Sequence, residues 1–361
     1  MDKMNQDRFA IDGHKLYWHL DRVADWQAGK VIAPVYVEIS PVSYCNNKCV
    51  FCGVDFARDG LVLDADILKA RLLEMAKLGV RSIMVAGEGE PLLHSRMSEI
   101  AAHAKASGMD VSLSTNGMAG AVPLWEALLP SLTWIRFSID AATPDVHALV
   151  HGVPSEAFEK TISNLRQAVR IKQERQLPVT IGVQFLMIQE NLCDIEKALS
   201  LYTRIGVDYL SFKPYSEHPH MRRKSGFAYS PEMIDKIESV VAQHAGKGRP
   251  SILFRRFAAD AYVGGALKFS NCRALPFWGH ICSKGDFYTC GVHLKDERFK
   301  AGNIYKETME AILAGGARKR SIAFARNGLD IKKECRLNCR MARVNEFLDF
   351  LEHKPDHINF I

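Results

Sequence analysis

At 361 residues with a net charge of +6, the chain has room for one large α/β domain and a smaller appendage, and it is only mildly basic. Its 47% apolar and 24% charged content excludes a disordered or collagen-like chain. No apolar run approaches the roughly 18 residues that a membrane-spanning helix needs, and residues 1–7 lack the apolar core of a secretory signal, so a cytoplasmic protein is expected.

Residues 1–33 read as a polar lead-in with a short helical pattern from Trp18 to Trp26. A strand–helix alternation follows. Strands are predicted at 35–39, 82–86, 111–114, 134–139, 178–187 and 208–212, and helices at 64–78, 96–107, 156–175 and 191–205. Six strands alternating with helices imply βα units and a parallel sheet, and right-handed crossovers curl such a sheet towards a barrel. The expected fold is therefore α/β, a partial (β/α)6 TIM-like barrel over residues 34–215, with its site residues on the loops after the strands. The rhythm stops after Pro214. A linker region with a helix at 230–246 fills 216–249, and a smaller domain with a last helix near 340–353 fills 250–361.

Nine cysteines, an odd count, argue against a disulfide framework and for metal binding. Cys45, Cys49 and Cys52 form C-x3-C-x2-C on the loop after the first strand. Three thiolates on one short loop suit three irons of a four-iron cluster and leave the fourth iron open to a small molecule. A structural zinc site wants four protein ligands, commonly in CxxC pairs.

With Phe51 preceding the last cysteine, this motif resembles the signature of the radical S-adenosylmethionine (SAM) superfamily. In that family the open iron is chelated by SAM, and reductive cleavage yields a 5′-deoxyadenosyl radical that abstracts a substrate hydrogen atom. The resemblance extends to three more strand ends. Gly87-Glu88-Gly89-Glu90-Pro91 is similar to the GGEP-type motif that binds the SAM ammonium, with Glu88 inserted between the glycines, so either Glu88 or Glu90 could face SAM. Ser114-Thr115-Asn116-Gly117 resembles the T-N-G segment, and Ser138-Ile139-Asp140 the S-x-D segment beside the SAM ribose. Gln184 and Lys213 are further strand-end polar residues that could line the site or be ordinary caps. SAM, one 4Fe–4S cluster and an electron donor such as flavodoxin or ferredoxin are what the resemblance implies.

Cys272, Gly285 and Cys290 give C-x12-G-x4-C, which resembles the opening of SPASM and twitch domains, with Gly285 turning a hairpin whose second strand carries Cys290. Cys335 and Cys339 complete a set of four that fits the shorter twitch form with one auxiliary 4Fe–4S cluster; zinc on the same thiolates is the alternative. Cys282 is then surplus, either a buried apolar cysteine or a thiol that donates a hydrogen atom, and Cys193 has the same two readings.

Enzymes with this chain plan include the aminocyclitol dehydrogenase of butirosin biosynthesis and the GTP cyclase of molybdenum-cofactor biosynthesis. The cyclase family ends in Gly-Gly and this chain in Asn359-Phe360-Ile361, so the dehydrogenase plan is the expectation. The expected substrate is a small polar metabolite, carbohydrate-like or nucleotide-linked, and the expected outcome is dehydrogenation. Epimerisation, dehydration and peptide modification remain open, although a 33-residue lead-in is shorter than an independent peptide-binding domain. Tyr215, Glu217, His218, Arg255, Arg256 and His280 are candidate substrate contacts, with Cys282, Arg255, His280 and Tyr215 the candidate catalytic set. The basic triplets Arg222-Arg223-Lys224 and Arg318-Lys319-Arg320 lack interleaved aromatics, so nucleic acid is not an expected partner.

Overall fold

The structure is a computed structural model describing residues 8–222, 224, 226–244, 246, 250–265 and 267–360, so Arg223 of the first basic triplet lies outside the described residues. All six predicted strands are present: β1 (Tyr36–Ile39), β2 (Ser82–Val85), β3 (Asp110–Thr115), β4 (Trp134–Ser138), β5 (Thr180–Met187) and β6 (Tyr209–Pro214). Four more follow: β7 (Ser251–Phe254), β8 (Trp278–Ile281), β9 (Asp286–Tyr288) and β10 (Lys300–Asn303). They form one ten-stranded sheet in the order β10-β9-β8-β1-β2-β3-β4-β5-β6-β7. The eight strands from β8 through β7 pair in parallel, and β9 and β10 are antiparallel. The sheet is open, and the parallel run is longer than the six strands read from the sequence. β8 hydrogen-bonds to β1 in register Tyr36↔Trp278 and Glu38↔His280, so residues 250–361 enter on the same sheet as the core.

The strands divide their side chains by parity. Val37, Ile39, Ile83, Val85, Val111, Leu113, Ile135, Phe137, Ile181, Val183, Leu210 and Phe212 are buried in the main core with the helices. The opposite parity carries Tyr36, Glu38, Ser114, Arg136, Ser138, Gln184, Lys213 and His280. A parallel strand buried on both faces reads as a continuous apolar run. The alternation here therefore marks the concave face as a lined chamber rather than a packed core.

The helices lie near their predicted positions, including Ala65–Lys77, Met97–Ala106, Glu156–Glu174 and Pro231–Gln243. Asp64 starts the first of these by accepting the N–H groups of Asp66 and Ile67 at 2.8 and 2.9 Å, a side-chain N-cap. The helix predicted at 191–205 begins as a 3-10 segment, Gln189–Asp194, which holds the exposed Cys193, and becomes α-helical over Ile195–Ile205.

Candidate functional site

The loop after β1 brings its three cysteines to the ends of β2, β3 and β4. Cys45 receives the Asn47 N–H at 3.4 Å, and Asn116 Nδ2 lies 3.7 Å from its sulfur and 2.6 Å from Asn46 Oδ1. Arg58 donates to Cys52 Sγ at 3.3 Å and to the Asn47 carbonyl at 3.0 Å. Cys49 Sγ lies 3.1 Å from His151 Nδ1, and the other ring nitrogen of His151 meets the Ile139 carbonyl at 2.6 Å. Phe51 packs edge-on against the same imidazole, centroids 5.7 Å apart. Burial first, then the neighbouring thiols, pushes the Cys49 thiol well above its ordinary value. Such thiols become thiolates when a metal centre offsets their charge. The Asn47 side chain is buried with both amide atoms unpartnered among the described residues, as fits a loop built around a further group.

The Gly87–Pro91 turn is set by contact with that loop. Gly87 has φ +101° and packs on Ser40, where a Cβ would fall 1.8 Å from Oγ. A Cβ on Gly89 would fall 2.2 Å from the Tyr44 carbonyl oxygen. The two carboxylates of the turn have different surroundings. Glu90 is buried and accepts from Leu92 N–H at 3.0 Å, Thr115 Oγ1 at 2.6 Å and Asn116 N–H at 2.7 Å, tying the end of β2 to that of β3. Glu88 accepts the Ser283 N–H at 2.9 Å, next to Cys282. Burial raises the pKa of both.

Ser138 closes β4, paired with Gln184 of β5. Asp140 is buried, in the left-handed region at φ +54°, and accepts the Leu186 N–H at 2.6 Å. Its other oxygen lies 3.7 Å from His151 Nε2, and burial lifts its pKa to about 7. His151 thus links the Cys49 thiol to the S-x-D turn. No sequence motif flags it, because it sits on the helix Pro144–His151, about a hundred residues from its thiol partner.

In the C-terminal region Cys272, Cys290, Cys335 and Cys339 line one enclosed pocket with Arg336. Burial raises all four thiols, and each of Cys272, Cys290 and Cys335 is raised further by others of the set. Asn345 Nδ2 reaches Cys272 Sγ at 3.6 Å. The sulfurs ring the pocket rather than meeting at a point, since among the described residues no three His, Cys, Asp or Glu groups stand close enough to share one ion. Gly285, at φ +83°, turns the β8–β9 hairpin, but Cys290 lies just past β9 instead of within it. Cys282 is outside this set: it follows β8, and after burial the largest influence on its thiol, raised to about 12, is Glu88.

The other candidates separate. His280 on β8 is buried and hydrogen-bonded to Ser40 Oγ at 2.8 Å. Arg255 follows β7 and pairs with Asp12 at 3.4 Å. Tyr215 is 1% exposed, with its hydroxyl on Met221 Sδ. Glu217 accepts the Gly226 N–H at 2.9 Å, and His218 is buried against Phe56. Arg256 is not on the concave face: it lies on the helix Arg256–Val263 in ion pairs with Asp235, Glu238 and Asp260. The sequence reading missed Arg136, Arg336 and Arg340, which enter the chamber from β4 and from residues 335–340.

Residues 39–202 match the Radical SAM superfamily. A probable GTP 3′,8-cyclase of Sulfurisphaera tokodaii is 25% identical over 61% of this chain and 66% of its own length. The GTP 3′,8-cyclase of Microcystis aeruginosa is 26% identical over 66% of this chain and 74% of its own. The chain thus spans about two thirds to three quarters of these relatives. In fold it is similar to Streptococcus suis SuiB bound to its precursor peptide SuiA, with a TM-score of 0.67 and 16% identity over 94% of this chain and 78% of that one. It is also similar to anSMEcpe with bound AdoMet, with a TM-score of 0.60 and 17% identity over 87% and 88% of the two chains. No helix among the described residues is long and apolar enough to cross a membrane. With a strand-end cysteine loop and a parallel half-barrel beneath that match, residues 39–202 form a radical SAM domain, and the cofactors of such enzymes are SAM and a 4Fe–4S cluster.

Proposed function

We propose that this enzyme abstracts a hydrogen atom from a small polar metabolite, carbohydrate-like or nucleotide-linked, and that the net reaction is a dehydrogenation. Cys45, Cys49 and Cys52 would hold the cluster at the SAM site, and Gly87–Pro91, Ser114, Asn116, Ser138 and Asp140 would border SAM. When bound, these cofactors supply the 5′-deoxyadenosyl radical. The observation that carries the reading is the bonded seam between the thiol loop and the strand ends: Asn116 on Asn46 at 2.6 Å, and Gly89 seated on the Tyr44 backbone. The named relatives act on GTP, which supports a nucleotide-bearing substrate.

Dehydrogenation of a carbinol carbon removes one hydrogen atom, one hydroxyl proton and one further electron. Burial holds the His280 imidazole towards its neutral, proton-accepting form. Cys272, Cys290, Cys335 and Cys339 would hold an auxiliary 4Fe–4S cluster that takes the electron. A second reading, epimerisation, draws on the buried Cys282 beside Glu88, whose S–H would return a hydrogen atom to the substrate radical.

Anaerobic reconstitution with iron and sulfide, followed by SAM and reductant, tests both parts. Roughly eight irons per chain and formation of 5′-deoxyadenosine are expected. No SAM cleavage would sink the core reading, and four irons with one zinc would sink the auxiliary cluster.

A further inference from the structure

The concave face of the sheet holds more positive charge than its own carboxylates balance. Arg136 lies on β4, Lys213 near the end of β6, and Arg255 directly after β7, with its N–H on the Phe212 carbonyl at 3.0 Å. Arg336 and Arg340 enter from the C-terminal segment. The five form one electrostatic group: burial first, then Arg336, Arg255, Arg136 and Arg340, depresses the Lys213 ammonium well below its usual value.

Two of the five are paired, Arg340 with Glu38 at 2.7 Å and Arg255 with Asp12 at 3.4 Å. The other three have no ion pair among the described residues. Arg136 reaches only Ser114 Oγ, at 3.2 Å, and lies over the Trp134 ring at 5.7 Å. Arg336 donates to Ser216 Oγ at 2.9 Å and to the Ser216 carbonyl at 2.7 Å, both neutral. Lys213, whose backbone pairs with β5, makes no side-chain hydrogen bond among the described residues. Asp140 is within electrostatic reach of Arg136 and Lys213, yet its oxygens are turned to the Leu186 N–H and to His151.

Of the three, Arg336 lies between the two cysteine groups. Arg336 lines the pocket of the four C-terminal cysteines, and its Nη1 would be 3.7 Å from a Cβ on Gly53, the residue after Cys52. All three are half-buried, and a half-buried cation with no carboxylate ion-paired to it is better stabilised when an anionic ligand completes it. One bidentate arginine saturates a carboxylate, whereas three cations from β4, β6 and the C-terminal segment match an anion with several oxygens and more than one charge.

We propose that Arg136, Lys213 and Arg336 form a subsite for a phosphate group of the substrate, a phosphomonoester or diphosphate, held between the two cysteine groups. This rests on the proposed function in taking the concave chamber as the substrate chamber. It deepens that reading by making the metabolite a phosphorylated one.

The test is calorimetric titration of the reconstituted, SAM-loaded enzyme with inorganic pyrophosphate at fixed ionic strength, beside SAM titrations of the same proteins. Wild type is expected to bind pyrophosphate, and Lys213→Met and Arg336→Gln each to weaken it roughly tenfold or more, as loss of a charge-assisted contact implies. Lys213→Arg, which keeps the charge, is expected to retain most of the affinity. If Lys213→Met does not fold, Arg336→Gln carries the test. Absence of wild-type binding overturns the proposal. So does a pattern in which the variants weaken SAM and leave pyrophosphate untouched, since the cations would then serve the SAM carboxylate. Wild-type SAM cleavage without pyrophosphate binding overturns this subsite alone, and pyrophosphate binding without SAM cleavage overturns the proposed function alone.

Discussion

Gly89→Ala tests whether the glycines of the Gly87–Pro91 turn serve as steric spacers for the cysteine loop. The new Cβ would lie 2.2 Å from the Tyr44 oxygen and 2.8 Å from both Tyr44 N and Val42 O, where ordinary contact begins at 3.4 Å. All three atoms are backbone, so no side chain can swing aside. The Tyr44 carbonyl must retreat by about 1.2 Å, the difference between the contact limit and the clash. That movement breaks the 3.0 Å bond it accepts from the Glu90 N–H and drags the adjacent Cys45 with it. Overpacking costs roughly 1–3 kcal/mol and the lost hydrogen bond about 1, for a total of roughly 2–4 kcal/mol. The assay is urea unfolding of the metal-free protein followed by circular dichroism, with iron counted after reconstitution. Iron is expected to fall by about four per chain as the Cys45 site is displaced. Gly13→Ala is the control, because its Cβ would meet nothing nearer than 3.8 Å. Full iron loading and stability within about 0.5 kcal/mol of wild type would refute the steric argument.

Three further outcomes are expected. His151→Phe keeps the ring packing with Phe51 but removes the 3.1 Å contact to Cys49; because the ring proton sits on Nε2 against the Ile139 carbonyl, Nδ1 presents a lone pair to the thiolate, and its loss should raise the reduction potential of the SAM-site cluster by an amount on the order of tens of millivolts, read by redox-poised electron paramagnetic resonance; an unshifted potential would show the contact to be incidental. Cys335→Ser should cut reconstituted iron by about half, and retention of all the iron would remove Cys335 from the ligand set. Burial, reinforced by His220, lowers the pKa of His293 to about 4 from an ordinary 6.5. The folded state therefore refuses a proton that the unfolded chain binds, and stability falls as pH drops from about 6.5 towards 4, by up to about 3 kcal/mol. His293→Phe retains the stack on Phe299 and should flatten the acid limb of urea midpoints measured between pH 7 and 4.5, whereas an identical slope would place the acid sensitivity elsewhere.

The sequence alone determined the first half of this protein. The six strands β1 to β6 were legible because each is an apolar run followed by an amphipathic helix, and local periodicity reports that arrangement directly. The C-x3-C-x2-C loop was legible for a similar reason: its three thiols lie within eight residues, so spacing in the chain stands in for spacing in the fold. β7 to β10 were not. They are three or four residues long, and Lys300–Asn303 has almost no apolar content, so the sheet's own hydrogen bonds define them, not any side-chain pattern.

Tertiary structure alone decided how the two parts relate. β8 joins β1 at the sheet edge, and the segment after it carries Arg336 and Arg340 back into the chamber. His151 has no meaning as an isolated histidine until the helix ending in it is packed against Cys49. Nor can one tell from the chain that Arg136 and Lys213 face inward together. Strand parity gives each a side, but the chamber between them exists only once the parallel strands have curled. Motif and period are properties of neighbours in sequence, and charge balance inside a half-barrel is a property of neighbours in space.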